Sequence, residues 1–576
     1  MSERKVQVLI AGAGPNGLAL ACLLAQQGVS CRIVDKNAER SRTSKAIGLQ
    51  YRVSELLAQM GVVDRFLEAG ASATPVNMYE GGRKLVRLKF DLGNDLAGRD
   101  AFVPAPIILP QSETERILAQ RLGELGQRVE WNTELVSFRQ NVGGVLSILR
   151  CGGREKVVAS DYLVSCEGAH SRIRKLAGMN FIGKTYPLTF VLADVKVDWA
   201  LNRAENHVWF HRDGAFAALP LPRDGTWRLF FEISREARGC VDEVTIDKVR
   251  SLYAARTGNS DACIHDPTWL SVFRINCRIV DRYRQGRVFV AGDAAHIHSP
   301  TGGQGITTGL QDVANLAWKL GRVVNGAPDA LLDSYEQERL PKAKEVLRET
   351  DRTTTLFFSK NPFVRVLRDA VVLPILRLPI VQRKMFHKLA QLHVNYRGSS
   401  LSVQAQRSGP FGLSRLKAGD RAPDVALFQA NTGREVTLFQ LLSEFRPILL
   451  VGTERGVALS AAARRALRAT DRLDIRSFVV TTTSGPGSDR FTELVDIHGD
   501  LKKLYGLTDD FACLIRPDGH IGLIQKPMCA EGLEQYFKMI CDPAAVVRAI
   551  EVATAEPLPL ERIKTKTVVE TASQTF

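Results

Sequence analysis

Three glycines near the start of the chain stand at a spacing that suits dinucleotide binding. Gly12, Gly14 and Gly17 follow an apolar, β-prone run at 6–11 and lead into a helix pattern rich in Ala and Leu. Glycines at these positions let the backbone approach a pyrophosphate, and the N-terminus of the following helix offers it free N–H groups. Asp35 ends the next apolar run, where its carboxylate can accept a hydrogen bond from a ribose hydroxyl. The unit predicts a strand, a tight turn and a helix that bind a dinucleotide, and it does not distinguish NAD from FAD.

Two later segments place polar residues at the ends of predicted strands. The stretch CEGAHSRIRKLAG, at 166–178, indicates a strand end, a turn and a short basic helix. The stretch AGDAAHIHSPTGGQGITTGLQDVANLAWKL, at 291–320, indicates a strand end, a glycine-rich loop and a long helix. With the first unit, these segments resemble the three fingerprints of the FAD-dependent aromatic hydroxylases, the single-component flavoprotein monooxygenases built like p-hydroxybenzoate hydroxylase. The resemblance covers roughly residues 5–400.

The resemblance implies FAD as the cofactor and assigns residues to it. Asp293 would bind the ribityl hydroxyls, and the loop at 300–305 would let the backbone approach the flat ring. The helix that starts near Ile306 would direct its positive end toward negative charge on the reduced flavin. The residues implied to bind FAD are Gly12, Gly14, Pro15, Gly17, Asp35, Lys36, Lys45, Gln111, Asp293, Gly305, Ile306 and Thr307.

The chain departs from the family pattern at three positions. Thr307 stands where the family usually has Asn, which puts one side-chain contact to the ring in question. Lys45 replaces an Arg, so the charge is kept and the planar guanidinium is lost. Glu167 replaces the Asp of a motif that helps to bind both FAD and the pyridine nucleotide, and it adds one methylene to that network.

The chemistry implied by the family resides in its cofactor. NAD(P)H reduces FAD, O₂ adds at C4a, and the resulting flavin C4a-hydroperoxide hydroxylates an electron-rich ring. The protein must exclude water and hold the substrate carbon beside the reacting oxygen. Glu167 and Arg172 are candidates for contact with NADH or NADPH. The ten cysteines include no C-x-x-C pair and no Cys/His cluster at zinc spacing, so we expect no metal.

An alternating aromatic stretch predicts a substrate-binding sheet, whose aromatic wall would comprise His207, Trp209, His211, Phe216, Trp227, Phe230 and Phe231. Its candidate pocket residues are Trp209, His211, Phe216, Trp227 and Phe231. Because side chains alternate along a strand, only about half of such a set can face one pocket. The sequence identifies no firm catalytic side chain, and the candidates are His211, His298 and Pro300.

These residues predict hydroxylation of a phenolic or polycyclic aromatic substrate. Two alternatives stay open, which are Baeyer–Villiger or epoxidising oxygen insertion on the same scaffold and a flavin-binding protein without turnover. The second is conceivable because Lys45, Glu167 and Thr307 all depart from the family pattern. A flavin-dependent halogenase is disfavoured, because the sequence has no W-x-W-x-I-P stretch.

The elements that must position these residues predict an α/β fold. It comprises a Rossmann-like FAD-binding domain, an inserted β-sheet substrate domain and a C-terminal α/β domain. The last resembles the thioredoxin-like domain of the phenol hydroxylase, pentachlorophenol monooxygenase and polyketide hydroxylase branch. The predicted boundaries are 1–185 and 275–400 for the FAD-binding domain, 186–274 for the insertion, 401–416 for a linker, 417–552 for the thioredoxin-like domain and 553–576 for a disordered tail.

Composition limits the possible partners. The 576 residues are 45% hydrophobic and 24% charged, which is typical of a globular protein. The first residues lack an apolar signal region, so we expect a cytoplasmic protein. The net charge of +15 is concentrated at 339–397, where thirteen Lys and Arg face four acidic residues. Since no nucleic-acid-binding motif accompanies this charge, we expect no nucleic acid partner.

A basic apolar segment lies within this region, at NPFVRVLRDAVVLPILRLPIVQRK (361–384). Pro374, Arg377 and Pro379 interrupt it, so we expect no stable membrane insertion, which needs about 20 apolar residues. Two interpretations stay open. The segment could be a helix pair packed on its own domain with its basic side in solvent, or it could dock on an acidic partner or a membrane surface. A homodimer is also possible.

Overall fold

The computed structural model of the 576-residue chain describes most of its length. The described ranges are 5–43, 46–72, 75–89, 106–222, 225–233, 244–299, 302–359, 361–406, 416–453, 459–482, 491–507 and 510–555. Two predicted site residues, Lys45 and Pro300, lie outside these ranges, as does most of the predicted tail.

Within these ranges, the strands fall into three main sheets and one small one. In chain order they are β1 (Val6–Ala11), β2 (Cys31–Val34), β3 (Gly48–Leu49), β4 (Ala71–Ser72), β5 (Val76–Glu80), β6 (Arg83–Leu88), β7 (Ile107–Ile108), β8 (Val129–Glu130), β9 (Thr133–Asn141), β10 (Gly144–Cys151), β11 (Arg154–Ser165), β12 (Phe181–Asp198), β13 (Asn206–Phe210), β14 (Phe216–Pro220), β15 (Thr226–Ile233), β16 (Cys263–Val280), β17 (Arg284–Gln285), β18 (Val288–Val290), β19 (His296–Ile297), β20 (Val403–Gln406), β21 (Ala426–Gln429), β22 (Glu435–Thr437), β23 (Ile448–Gly452), β24 (Arg476–Thr481), β25 (Glu493–Val495), β26 (Phe511–Ile515) and β27 (Ile521–Lys526).

The helices cover the sheets and connect them. In chain order they are α1 (Pro15–Gln26), α2 (Tyr51–Gln59), α3 (Val63–Ala69), α4 (Gln111–Glu124), α5 (Arg172–Leu176), α6 (Ile246–Thr257), α7 (Gly305–Val324), α8 (Asp333–Phe358), α9 (Pro362–Leu367), α10 (Leu373–Ile375), α11 (Pro379–Leu389), α12 (Leu438–Leu441), α13 (Ala461–Thr470), α14 (Ala530–Ile540) and α15 (Pro543–Ala555).

The first sheet is built around β1, in the order β17-β18-β11-β1-β2-β8. β1 runs parallel to β2 and β11, and its run VQVLIA is almost wholly buried, as expected of a strand covered on both faces. Helices α1 and α7 pack on this sheet in one apolar core. Because β1, β11 and β18 are parallel neighbours, their carboxyl ends bring Gly12, Glu167 and Asp293 to one edge, where open α/β sheets bind ligands.

The second sheet has the order β19-β16-β12-β15-β14-β13-β5-β6. Its long strands β12 and β16 begin or end outside the predicted insertion at 186–274, and β5 and β6 join it from residues 76–88. β5 runs parallel to β13, so the early hairpin β5–β6 extends the sheet beyond the predicted insertion. Helix α6 packs against one face through Val249 and Tyr253.

The third sheet forms the C-terminal domain, in the order β20-β27-β26-β23-β24-β25-β21-β22. β23 and β24 are parallel, and β26 and β27 form an antiparallel hairpin beside β23. The short strand β20 lies in the segment predicted as a linker and pairs in parallel with β27. The chain therefore continues the third sheet before it reaches the main part of this domain.

Buried ion pairs join the C-terminal domain to the FAD-binding domain. The Arg516 guanidinium donates to both carboxylate oxygens of Glu338, at 2.7 and 2.8 Å, and Lys319 donates to the same carboxylate at 2.7 Å. All three side chains are buried. Burial alone would raise the pKa of Glu338, but the charges of Arg516 and Lys319 outweigh burial and hold that pKa well below its usual range.

A second buried cluster lies nearby. Arg421 of the C-terminal domain donates to the Glu55 carboxylate through Nε at 2.7 Å, and Arg52 pairs with the same carboxylate. Arg52 also donates to the backbone oxygen of Asp518. Helix α2 is thereby fixed to the C-terminal domain by charge-assisted hydrogen bonds.

No helix within the described ranges combines the length and the hydropathy that crossing a bilayer requires. The basic apolar segment forms the short helices α9, α10 and α11 instead, with Pro374 inside α10 and Pro379 at the start of α11.

Replacing Arg516 by Ala should sharply lower the free energy of unfolding. The change leaves Glu338 buried without its bidentate partner, and breaking such a pair typically costs about 3–5 kcal/mol. The control is Arg446→Ala, which breaks a largely exposed pair with Asp474, where about 0–1 kcal/mol is expected. Urea unfolding followed by circular dichroism measures both losses, and equal losses would contradict the assignment.

Candidate functional site

One large cavity connects the glycine-rich turn of the first sheet with the second sheet. Its volume is about 1290 Å³. One end is lined by Gly14, Asp35 and Asp293, and the other by side chains of β13 to β15 and of helix α8. The cavity thus brings together segments that are more than 300 residues apart in the sequence.

The glycine turn is shaped for close approach of a ligand. Gly12 has φ +102°, and a Cβ there would overlap the carbonyl group of Cys166. At Gly14, by contrast, a Cβ would meet no atom within 4 Å, and this residue lines the cavity. Helix α1 then begins with Pro15, whose missing N–H is no loss at the first helical position. Gly17 packs tightly against the backbone of Gly12, which brings helix and turn together.

Asp35 and Lys36 border the same end of the cavity. The Asp35 carboxylate accepts from the backbone N–H of Ala13 at 2.7 Å and from that of Asn37 at 2.8 Å. These bonds fix the carboxylate beside the glycine turn and leave it further acceptor capacity. The structure therefore places Asp35 at the cavity wall, beside the glycine turn.

Asp293 follows β18 and faces the cavity. Its carboxylate has no hydrogen-bond partner among the described residues, and burial raises its pKa. The turn that carries it depends on Gly292, which has φ +59° and where a Cβ would overlap Asn16. The residue is open to the cavity, so its carboxylate is available to accept hydrogen bonds from a ligand there.

A second carboxylate, that of Asp312 on α7, stabilises this turn through hydrogen bonds. It accepts from the Gly292 N–H at 3.2 Å, from Arg339 Nε at 2.7 Å and is 2.7 Å from His296 Nε2. Burial alone would raise the pKa of Asp312, but the charges of His296 and Arg339 lower it. Sequence reasoning missed this network, although all members except Arg339 lie in the motif at 291–320.

The N-terminus of α7 borders the cavity through Gly305 and Ile306. Its first turn holds no acidic residue, so the positive end of the helix dipole is not neutralised there. Thr307 is wholly buried, and its hydroxyl accepts from the Gln50 N–H at 3.1 Å. The Thr307 side chain fixes the β3–α2 turn, and the residue is not among those that line the cavity.

Glu167 keeps its position at the sheet edge despite the additional methylene. Its Oε2 accepts from Ser171 Oγ at 2.8 Å and from the Ile173 N–H at 3.0 Å, at the start of α5. Arg172 pairs with Glu134 at 3.0 Å, and both arginine and glutamate border the cavity. Gln111 also borders it and donates to Glu115 at 2.9 Å.

The predicted aromatic wall lies mostly on the wrong face of the second sheet. Trp209, Trp227 and Phe231 pack with Phe216 against helix α6, on the face opposite to the cavity. Phe216 borders the cavity, but its ring belongs to this stack. Side chains alternate along a strand, so a prediction that is off by one residue assigns every side chain to the opposite face of the sheet.

Of the predicted wall, Phe216 and Phe230 border the cavity, and the other lining residues of these strands are neighbours of those predicted. The lining residues include Val208, Phe210, Ala217, Leu219 and Phe230 of β13 to β15, with Phe190 and Phe273 of β12 and β16. Both faces of these strands are apolar, because α6 covers one and the cavity adjoins the other. Alternation alone therefore could not choose between them.

The two candidate histidines occupy different places. His211 does not border the large cavity and lies near Asp213 and Arg256 instead. His298 borders the cavity, donates from Nδ1 to the Ser299 carbonyl at 2.9 Å, and leaves Nε2 without a partner in the described structure. Burial lowers the pKa of His298 to about 4, so its ring is neutral near pH 7.

These features fit a bound FAD. The cradle at Gly14, the fixed Asp35, the unpartnered Asp293 and the N-terminus of α7 all line the same cavity. In the described part of the chain, no group of three or more His, Cys, Asp or Glu side chains could hold a metal ion.

Comparisons with known proteins support the same conclusion. Residues 5–350 match the FAD binding domain family, and residues 416–544 match the aromatic-ring hydroxylase C-terminal family. A flavin-dependent monooxygenase of Mycobacteroides abscessus is 36% identical over 450 residues, covering 75% of this chain and 87% of the relative. The 6-methylpretetramide 4-monooxygenase of Streptomyces rimosus is 32% identical over 525 residues, covering 89% and 90%.

Solved structures agree in fold. An anhydrotetracycline hydroxylase from Streptomyces rimosus has a TM-score of 0.73 at 29% identity, covering 94% of this chain and 100% of that one. An aklavinone-11 hydroxylase, solved with FAD and aklavinone, has a TM-score of 0.77 at 24% identity and the same coverage. The mixed α/β fold and the resemblance expected from the sequence are confirmed. The chain belongs to the FAD-dependent aromatic-ring hydroxylases, a family of flavoprotein monooxygenases.

Proposed function

We propose that the protein hydroxylates a polycyclic phenolic substrate, with NADH or NADPH as reductant and O₂ as oxidant. The observation that carries this proposal is one continuous cavity, which extends from the glycine turn to an apolar, partly aromatic sheet face. Ligand pockets usually measure about 300–1,000 Å³. The volume of about 1290 Å³ supports a site that holds the dinucleotide and a multi-ring substrate together.

The residues at the first end would hold FAD. Gly12, Gly14, Pro15 and the first turn of α1 would receive the pyrophosphate, Asp35 and Lys36 the ribose, and Gln111 a sugar or ribityl hydroxyl. Asp293, whose carboxylate has no donor among the described residues, would accept hydrogen bonds from the ribityl hydroxyls. The backbone at Gly305 and Ile306 would contact the edge of the flavin ring. Bound FAD supplies the redox chemistry that activates O₂ for transfer of one oxygen atom.

Side chains at the second end would hold the substrate. Phe230 and Phe273 are cavity-facing rings in edge-to-face contact, with centroids 6.4 Å apart, and offer a surface for ring stacking. Val208, Ala217 and Leu219 complete an apolar wall that would exclude water from the reacting carbon.

His298 would act as a neutral hydrogen-bond acceptor. Its Nδ1 proton is committed to the Ser299 carbonyl, so Nε2 presents a lone pair toward the cavity. With a pKa of about 4, the ring is a weak base. It would therefore orient a substrate hydroxyl by accepting a hydrogen bond from it, rather than take up the hydroxyl proton. Glu167 and Arg172, which border the cavity near the sheet edge, remain the candidates for contact with the reductant.

We also infer that the C-terminal domain is thioredoxin-like in architecture and structural in role. The parallel pair β23 and β24, joined through α13, followed by the hairpin β26–β27 and helix α14, supports that fold. Cys513 is wholly buried, and burial raises its thiol pKa to about 12. A thiol with such a pKa is not an attacking thiolate near neutral pH.

The proposed reaction is tested by turnover of the purified protein with NAD(P)H, ¹⁸O₂ and a panel of monocyclic and polycyclic phenols. We expect one ¹⁸O atom on a ring carbon of a multi-ring product. Label in a lactone or an epoxide would support the other oxygenase chemistries, and bound flavin that NAD(P)H never reduces with any substrate would support a protein without turnover.

Asp293→Ala should bind FAD more weakly. The change removes the acceptor for ribityl hydroxyls, and unpaired buried polar groups cost about 1–3 kcal/mol, or roughly 5- to 150-fold in affinity. Flavin fluorescence titration of the apoprotein measures the effect. The control is Asp471→Ala, an exposed carboxylate in the C-terminal domain, and equal affinity of the two variants would refute the role of Asp293.

Ala217→Leu should weaken binding of multi-ring phenols more than binding of single-ring phenols. The larger side chain enters the cavity from β14, where only a large substrate needs the space. The control is Trp209→Phe, on the opposite face of the sheet, which should lower stability without changing substrate preference. Perturbation of the flavin absorbance by each phenol gives the dissociation constants, and the reverse pattern would show that the far face binds substrate.

Replacing Cys513 by Ala and Cys529 and Cys541 by Ser should leave NAD(P)H-driven oxygenation within about threefold, because no thiolate participates in the proposed reaction. The variant should melt at a lower temperature, since Cys513 is a small core residue. The single variant Cys513→Ala is the stability control. A folded triple variant that cannot turn over would show that the domain contributes thiol chemistry.

A further inference from the structure

Helix α8 borders the second end of the large cavity along one of its sides. Glu349, Arg352, Thr353 and Leu356 line the cavity, and their spacing of three and four residues keeps them on one side of the helix. Arg352 is exposed and lines the cavity, so the cavity is open to solvent at this point. We call the part of the rim formed by Glu349, Arg352 and Lys388 of α11 the charged mouth. Its side chains contact the part of a ligand that reaches the opening.

The charged mouth carries one more positive charge than negative. Lys388 Nζ lies 2.6 Å from a carboxylate oxygen of Glu349, so these two charges neutralise each other. The next acidic residue of α8, Asp351, forms an ion pair with Lys184 of β12 at 2.8 Å. Among the residues that the structure describes, Arg352 has no ion-pair or side-chain hydrogen-bond partner. Its guanidinium is therefore free to bind an anion from outside the protein.

The cavity walls next to the charged mouth are largely apolar. They are formed by Leu356 and Phe357 of α8 and by Met385 and Leu389 of α11. A guanidinium binds a carboxylate through two parallel hydrogen bonds, and such a pair is stronger where apolar walls exclude water. The mouth thus suits a ligand that is apolar over most of its length and carries a carboxylate at one end.

Helix α8 has a fixed position relative to His298, the proposed acceptor for a substrate hydroxyl. The hydroxyl oxygens of Thr354 and Ser299 lie 2.8 Å apart, and both residues are buried. The Ser299 carbonyl in turn accepts from His298 Nδ1. The ring of Phe358, at the end of α8, is in edge-to-face contact with the cavity-lining ring of Phe190, with centroids 5.8 Å apart. The free guanidinium on α8 and the acceptor on His298 are therefore two fixed points around one cavity.

The surroundings favour a substrate anion over a phosphate of the reductant. The phosphates of NADH or NADPH are attached to sugars whose hydroxyls need hydrogen-bond partners, and apolar walls offer few. We propose that Arg352 is a specificity-determining residue that selects multi-ring phenols carrying a carboxylate. This inference rests on the proposed function, because it concerns the substrate of the same site. The carboxylate would pair with Arg352 at the mouth, while a phenolic hydroxyl of the same molecule donates to His298.

The test is isothermal titration calorimetry of the full-length, FAD-loaded protein, without reductant. The probes are pairs of multi-ring phenols that differ only in a carboxylate or a carboxamide, such as rhein, a dihydroxyanthraquinone carboxylic acid, and its amide. We expect the unchanged protein to bind the carboxylate about tenfold more tightly. Arg352→Gln should remove that preference by weakening carboxylate binding alone. Arg352→Lys should keep part of it, because the charge remains and the planar guanidinium is lost.

The matched control is Arg348→Gln, which removes an exposed charge one turn earlier on α8, outside the cavity lining. It should retain the full preference, and all variants should keep the melting temperature of the unchanged protein. An equal loss in Arg348→Gln would show a diffuse effect of charge and overturn the proposal.

Three further outcomes would also overturn it. If phenols bind and are hydroxylated without any preference for carboxylates, this inference fails and the proposed function stands. If no phenol of the panel binds, both fail. If Arg352→Gln raises the KM for the reductant and leaves carboxylate binding unchanged, the guanidinium binds a reductant phosphate instead.

Discussion

The carboxylate of Asp312 is the interaction on which the rest of the site depends. It is wholly buried, and it binds a backbone N–H beside Asp293, the ring of His296 and the guanidinium of Arg339. Arg339 in turn donates to the Thr308 carbonyl in the first turns of α7 and to the Tyr396 hydroxyl. One charge therefore fixes both the turn that carries Asp293 and the helix whose N-terminus borders the cavity.

Much of this site could be predicted because it rests on local constraints. The positions of Gly12, Gly14 and Asp35 follow from a strand, a turn and a helix that are contiguous in the chain. Asp293 likewise follows a buried strand within one motif. Thr307 shows the limit of such reasoning, because the partner of its hydroxyl is the Gln50 N–H, which lies 257 residues earlier.

The substrate wall could not be predicted for a different physical reason. Alternation reveals which residues share a face, but not which face adjoins a ligand when both are apolar. Trp209 and Phe231 were predicted to bind substrate because they are large and aromatic. In the structure, these large side chains fill the core between the sheet and α6. The smaller Val208 and Ala217 leave room for a ligand. Small side chains, rather than large aromatic ones, therefore mark the face of the sheet that adjoins the cavity.

The pairing of Arg516 with Glu338 also constrains the order in which the domains can complete folding during synthesis. Glu338 is synthesised 178 residues before its guanidinium partner. At about 5–20 residues per second, a ribosome needs roughly 10–40 s to close that gap. During this time, Glu338 can pair with Lys319 and Asn315 of its own domain but lacks the guanidinium that binds both of its carboxylate oxygens. The buried ion pairs of the FAD-binding domain are therefore complete only after the C-terminal domain has been synthesised. A nascent chain stalled before residue 516 would hold an incomplete core.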